Sequence, residues 1–133
     1  MPLAKKIDHV AIVVKDLDAA VKTFTANFAF PVERSGVTPQ LNMRWAFLSI
    51  GDAALELFQP TSEKNPGMQF LSERGEGMYA VSLEVESLAD AVAHLATKGI
   101  TARIQSLHEG TKVCFIGPQH THGVLLQLIE HPK

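Results

Sequence analysis

Two segments of the chain share one pattern, in which a short apolar run of strand character precedes apolar residues at helical spacing. The strand-like runs cover residues 7–14 and 78–85. Turn residues then divide the rest of each half into β-favouring segments. These segments predict three further strands in each half, near residues 32–36, 43–50 and 54–59 and near residues 101–106, 112–116 and 124–130.

One helix is predicted between the first and second strands of each half. The first begins at Asp16 or Asp18 and ends near Phe28, and the second runs from Ser87 to Lys98. Aspartate and serine are favoured at helix N-caps because their side chains accept a hydrogen bond from a free backbone N–H. The apolar side chains of each helix fall on one stripe, which predicts that the helices pack against a sheet.

The two halves also match each other in order. Leu17 and Leu88 follow the two helix starts and lie 71 residues apart. The same spacing separates Glu56 from Gln127 in the last strands. A constant spacing at both ends of the halves indicates an internal duplication.

Two βαβββ modules predict an α+β fold, in which a curved, mostly antiparallel sheet of eight strands surrounds a cleft and the helices cover its outer face. We expect a single domain, with module 1 over about 6–60, a linker over about 61–76 and module 2 over about 77–131. Side chains two apart on a strand share a face. His9 and Glu56 can therefore point into the same cleft from neighbouring strands.

Composition narrows the class of protein. The 133 residues are 46% apolar and carry a formal charge of −2, which is ordinary for a globular domain and lacks the basic stripe of a nucleic-acid binder. Cys114 is the single cysteine, so no internal disulfide can form, and it is interpreted as a small buried residue. No apolar run approaches about 18 residues and no secretory signal is recognised, so we expect a cytoplasmic protein without membrane contact.

The whole chain resembles the vicinal oxygen chelate superfamily, which includes glyoxalase I, extradiol dioxygenases and bleomycin-resistance proteins. Within it, the chain is most similar to methylmalonyl-CoA epimerases. The resemblance covers residues 6–130 and is carried by these segments: Ile7–Ala11, Val14–Ala20, Ala46–Leu48, Leu55–Leu57, Glu73–Gly77 and Gly123–Leu126.

The resemblance implies a divalent metal site with two ligands from each module. Its positions fall on His9 and Glu56 in module 1 and on Ala80 and Gln127 in module 2. Alanine cannot bind a metal, so His9, Glu56 and Gln127 are the predicted ligands, with Glu56 also the predicted catalytic base. The carboxylate base that some epimerases carry on the third strand falls near Trp45 here, and an indole cannot accept the proton.

Five residues are predicted to line the ligand pocket: Trp45, Phe47, Ala80, Val113 and Phe115. The aromatic pair and its apolar counterparts suit a flat or acyl ligand. Ordinary core packing is the alternative interpretation of the same residues. Tyr79 is expected to face away from the site. Four other histidines are expected to take no part in it: His94, His120, His122 and His131. Two of them, His94 and His131, are also expected to stand apart from other polar groups.

Two functions are compatible with these residues. The first is a lyase or isomerase of the glyoxalase or methylmalonyl-CoA epimerase type, which removes a proton next to a carbonyl group with the help of a divalent metal ion. The alternative is a metal-free protein of the same fold that sequesters a small, largely apolar ligand, as resistance proteins do. By analogy with the family we expect a homodimer.

Overall fold

The structure, a computed structural model, describes residues 2–133 apart from the side chain at position 108. Within these residues, eight strands and three α-helices are present. Their order is β1 (Lys6–Val13), α1 (Leu17–Phe28), β2 (Val32–Thr38), β3 (Met43–Ile50), β4 (Ala53–Pro60), α2 (Pro66–Arg74), β5 (Gly77–Glu84), α3 (Leu88–Thr97), β6 (Gln105–Ser106), β7 (Lys112–Ile116) and β8 (Leu126–Glu130).

Contacts divide the chain into two compact units. The first-half unit comprises His9–Tyr79, and the second-half unit comprises Ala80–Lys133 together with the chain up to Asp8. The strand order is β2-β3-β4-β1 in the first-half unit and β5-β8-β7-β6 in the second-half unit. In each unit the first and last strands run parallel, and the other pairs are antiparallel. The predicted α+β class, with its two βαβββ modules, is confirmed.

The strand registers confirm the internal duplication. Ala11 lies opposite Glu56 in the parallel pair of the first-half unit. Ser82 lies opposite Gln127 in the parallel pair of the second-half unit. Both partners are shifted by the same 71 residues that the sequence comparison detects. A one-residue slip would turn every side chain to the other face of the sheet, so the two units present corresponding positions on the same face.

Both long helices begin with the same double cap. Asp16 accepts a hydrogen bond from the N–H of the third helical residue, and the Gln59 side chain accepts another from Leu17 N at 2.9 Å. In the second-half unit Ser87 is the cap, and Glu130 accepts from Leu88 N at 2.7 Å. Each helix start is therefore tied to the end of the last strand of its own unit.

Each unit has a core between its helix and one face of its strands. In the first-half unit the fully buried side chains of Leu48 and Leu57 pack with Leu17. In the second-half unit the core is centred on Leu128 and Leu88, and further members are Val85, Ala91, Cys114 and Ile116. Burying one such side chain contributes about 1.5–3 kcal/mol. The opposite face of the strands is thus left for the polar residues described below.

Two strands of the second half are shorter than the sequence predicts. β6 contains only Gln105 and Ser106, because Ala102 packs against the core instead of pairing along the sheet edge. β8 begins at Leu126, because the preceding turn extends to Val124, whose carbonyl accepts a hydrogen bond from the Thr121 hydroxyl. Neither change moves Gln127 out of its strand.

Candidate active site

His9 and Glu56 form an ion pair on the face of the first-half unit that is turned away from α1. His9 Nε2 lies 3.5 Å from Glu56 Oε1. Only 4% of His9 and 8% of Glu56 is exposed. The parallel register places Ala54 opposite His9 and Ala11 opposite Glu56, so small residues flank both side chains. A carboxylate buried to this extent needs a polar partner, and the imidazole is one.

An aromatic wall, formed by Phe47 and Trp45, stands beside this pair. The His9 ring meets Phe47 edge-on with a centroid distance of 5.0 Å, and Phe47 meets Trp45 at 5.4 Å. The indole N–H of Trp45 donates to Thr38 Oγ1 at 2.8 Å, so its polar atom is satisfied. A Cβ at Gly36 would lie only 3.0 Å from the indole ring. Glycine there and the hydrogen bond together fix the position of the ring.

Arg34 lies over the aromatic wall and was not predicted from the sequence. Its guanidinium carbon is 4.5 Å from the Phe47 ring centroid and 5.6 Å from that of Trp45. In the strand register Arg34 lies opposite Phe47, which in turn lies opposite Glu56. A register shift between Val32 and Arg34 sets this alignment. Alternation along an isolated strand could not reveal it, because the bulge changes which side chains of β2 and β3 face each other.

The second-half unit holds Gln127 in a different environment. The Ser82 hydroxyl donates a hydrogen bond to Gln127 Oε1 at 2.7 Å, and Ser82 is 1% exposed. Ala80 precedes Ser82 on the same face of β5 and is also buried. By the 71-residue spacing, Ser82 corresponds to Ala11 and Ala80 to His9. Sequence reasoning missed Ser82, although the exchange of Ala11 for a hydroxyl residue between the repeats was a usable signal.

The predicted pocket residues of β7 differ in exposure. Phe115 lies opposite Gln127 and is 37% exposed, whereas Val113 lies opposite Ile129 and is fully buried. The structure gathers the predicted site residues into two groups, one in each unit: His9, Glu56, Trp45 and Phe47 in the first-half unit, and Ala80, Gln127, Val113 and Phe115 in the second-half unit.

The expectation that His131 stands apart from other polar groups is wrong. His131 Nε2 lies 2.7 Å from Asp8 Oδ1, and these two residues and Glu84 have potential ligand atoms within 4.8 Å of one another. Lys5 lies 3.6 Å from Glu84 and compensates part of the negative charge. The expectation was wrong because Asp8 and His131 are far apart in sequence. Three other histidines are exposed, namely His94, His120 and His122.

Tyr79 packs in an aromatic cluster of the first-half unit. Its ring meets Phe58 at 5.1 Å and Phe70 of α2 at 5.4 Å, both edge-on. Burial raises the pKa of the Tyr79 phenol above its usual value of 10.0. The expectation that Tyr79 does not supply the ligand that Ala80 lacks stays a prediction.

The fold and the paired polar residues define the class of protein. Residues 8–115 match the family described as the Glyoxalase/Bleomycin resistance protein/Dioxygenase superfamily. The chain belongs to this superfamily. In the described part of the chain, no helix is long and apolar enough to cross a membrane.

Within the superfamily, the chain is similar to methylmalonyl-CoA epimerases. The human mitochondrial methylmalonyl-CoA epimerase is 29% identical over 131 residues, which cover 92% of this chain and 72% of the human protein. One solved structure is that of a Streptomyces coelicolor methylmalonyl-CoA epimerase variant in complex with 2-nitronate-propionyl-CoA. It is 27% identical to this chain with a TM-score of 0.91, and the match covers 98% of this chain and 99% of the Streptomyces chain. The Mycobacterium tuberculosis methylmalonyl-CoA epimerase is 25% identical to this chain with a TM-score of 0.93, and the match covers 100% of this chain and 92% of the Mycobacterium chain.

Proposed function

We propose that this protein is an isomerase of the epimerase type, which moves a proton at the carbon next to the carbonyl group of an acyl-CoA thioester. The observation that carries the proposal is the buried ion pair of His9 and Glu56. A carboxylate held beside an imidazole in a largely dry site can exchange protons with a substrate. The similarity to methylmalonyl-CoA epimerases favours a thioester as the substrate.

Glu56 is the proposed base. Its carboxylate accepts the proton from the carbon next to the carbonyl, and the electron pair of the broken C–H bond moves onto the carbonyl oxygen. Inversion requires the proton to return to the opposite face of the planar enolate, so the enolate must turn within the site before the protonated Glu56 delivers the proton to carbon. His9, 3.5 Å away, orients the carboxylate. The aromatic wall beside the pair keeps water from the reacting carbon.

His9 and Glu56 are the proposed holders of a divalent metal ion within the first-half unit. At metal–ligand bonds of about 2.0–2.2 Å, two ligands at a tetrahedral angle lie about 3.4 Å apart. The 3.5 Å between His9 Nε2 and Glu56 Oε1 fits that value. Gln127, which belongs to the second-half unit, stays a predicted ligand. When bound, the ion would polarise the carbonyl oxygen of the substrate.

A second candidate is a metal-free binding protein of the same fold. The arrangement of Gln127 favours it, because its amide oxygen already accepts a hydrogen bond from Ser82 at 2.7 Å. Ala80, which corresponds to His9, offers no ligand atom. On this proposal the aromatic wall of the first-half unit holds a small ligand without reaction.

The test is exchange of the proton next to the carbonyl of methylmalonyl-CoA and propionyl-CoA in D₂O, followed by NMR. We expect exchange by the native protein and a loss of roughly 100- to 10,000-fold in Glu56→Gln, the range for removal of a general base. The exposed Glu63 gives a matched control, and Glu63→Gln should exchange at the native rate. Equal rates in the native protein and Glu56→Gln would refute the assignment of the base.

Metal analysis of the same samples separates the two candidates. The enzyme proposal expects one divalent ion per chain, lost in His9→Ala together with exchange. Tight binding of the thioester without exchange and without metal, in the native protein and both variants, would instead support the binding protein.

A further inference from the structure

Arg34 lies on the same face as the buried ion pair, and it has no buried acidic partner among the residues that the structure describes. The closest carboxylate found for it is that of its neighbour Glu33, 3.9 Å from Nε. Both side chains are 52% exposed, and exposed pairs of this kind contribute little. The guanidinium is instead held by the two rings of the aromatic wall, at 4.5 Å from Phe47 and 5.6 Å from Trp45.

A guanidinium packed over an aromatic ring keeps the N–H groups at its edge available for a ligand. Such an edge offers two parallel donors, which match the two oxygens of a carboxylate or a phosphate. Half of the Arg34 side chain is exposed, so a ligand can reach it. The stack also limits the freedom that the side chain must lose on binding, which favours affinity.

The position of Arg34 relates it to the proposed catalytic base. Arg34, Phe47 and Glu56 lie opposite one another on three adjacent strands. Strands are spaced about 4.8 Å apart, so the backbones of Arg34 and Glu56 are separated by roughly 10 Å. The long arginine side chain reaches back across this gap to the Phe47 ring, which also meets the His9 ring.

We propose that Arg34 on its aromatic wall is an anion subsite, which binds a carboxylate or phosphate group of the ligand that the neighbouring His9–Glu56 pair acts on. The existence of the subsite stands on the arrangement of Arg34, Phe47 and Trp45. Its assignment to the substrate rests on the proposed function. The proposed ligand is accordingly an anionic compound. Its negative group binds on one side of the Phe47 ring, and its reacting carbon lies on the side of the His9–Glu56 pair.

Trp45 makes the subsite directly observable, because it is the single tryptophan of the chain and lies under the guanidinium. Malonate and inorganic pyrophosphate are the probes, titrated at constant ionic strength against sodium chloride while tryptophan fluorescence is recorded. We expect a saturable change with at least one probe in the native protein and in Glu56→Gln, and none with chloride. Arg34→Gln should abolish the change, and Arg34→Lys should weaken it, because lysine lacks the planar donor pair.

Arg44 provides the matched control. Arg44 lies on β3, the strand next to that of Arg34, and its side chain points to the opposite face of the sheet. It pairs with Asp18 of α1 at 3.2 Å. Arg44→Gln removes the same charge and should leave the fluorescence titration unchanged. No saturable change with either probe, an equal response to chloride, or an unchanged titration in Arg34→Gln would each overturn the subsite.

The dissociation constants of three thioesters then show whether Arg34 binds the acyl carboxylate or a phosphate of the ligand. Loss of a charge-assisted hydrogen bond corresponds to roughly 10- to 100-fold in dissociation constant. If Arg34 binds the acyl carboxylate, Arg34→Gln weakens methylmalonyl-CoA and methylmalonyl-pantetheine by this factor but not propionyl-CoA. If it binds a phosphate, both CoA esters weaken and the pantetheine ester does not. Equal affinity of the native protein and Arg34→Gln for all three would refute the assignment to the substrate, whereas native exchange rates in Glu56→Gln would refute only the proposed base.

Discussion

The coupling between His9 and Glu56 can be measured with a double-mutant cycle on stability. An imidazolium and a carboxylate 3.5 Å apart attract by about 5 kcal/mol at an effective dielectric constant of 20. Desolvation of two nearly buried side chains offsets part of this attraction. We therefore expect His9→Ala to lower the free energy of unfolding by about 3–5 kcal/mol, because it leaves a buried carboxylate without this partner. Glu56→Gln should lower it less, because the amide is neutral and still forms hydrogen bonds.

The assay is urea unfolding of the native protein, both single variants and the double variant at one pH and salt concentration. The double variant should be more stable than the sum of the single losses predicts, by a coupling energy of about 1–3 kcal/mol. His9→Gln, which retains a polar side chain, serves as a control for the cavity that alanine creates. Losses that add to within about 0.5 kcal/mol would refute the coupling, and with it the argument that His9 and Glu56 act as a pair.

Three further predictions concern the scaffold. Ser87→Ala should lower the free energy of unfolding by about 1 kcal/mol, because it removes an N-cap; an unchanged urea midpoint would contradict the assigned cap. Gly67→Ala should lower the free energy of unfolding by about 1–3 kcal/mol, since the alanine Cβ would lie 2.8 Å from Phe58 Cε2. A urea midpoint at or above the native value would show that the Phe58 ring moves aside without cost. Burial raises the pKa of the Cys114 thiol and of the Tyr79 phenol, so the folded state holds both protons more tightly and stability should fall as pH rises through 9 to 10. Urea midpoints at pH 7 and 10 measure this decline, which should be smaller in Tyr79→Phe; equal declines would refute the contribution of the phenol.

The sequence predicted the local elements better than their pairing. The caps Asp16 and Ser87 follow from side-chain chemistry within one helical turn, so no tertiary information is needed. The 71-residue repeat also fixes the partners of Glu56 and Gln127, because duplicated modules keep the same register. β6 was predicted too long, because Thr101–Ile104 has β propensity but Ala102 packs against the core instead of pairing with β7.

The candidate site was predicted only where the duplication or the family resemblance points to a residue. His9 and Glu56 were found in this way. Arg34 was not found, because its contact with Phe47 depends on a bulge that no single strand reveals. The contact of Asp8 with His131 joins the two ends of the chain, and local sequence patterns do not encode such long-range proximity.

The parallel pairing of β1 with β4 has a consequence during synthesis. β1 is made before β2 and β3, yet its partner in the first-half unit is the last strand of that unit to be made. β2 and β3 can form their hairpin in the nascent chain as soon as both have left the exit tunnel, whereas His9 waits for Glu56. The His9–Glu56 pair is thus assembled by the same closure that completes the sheet of this unit, and a nascent chain that ends before β4 carries the imidazole without its carboxylate.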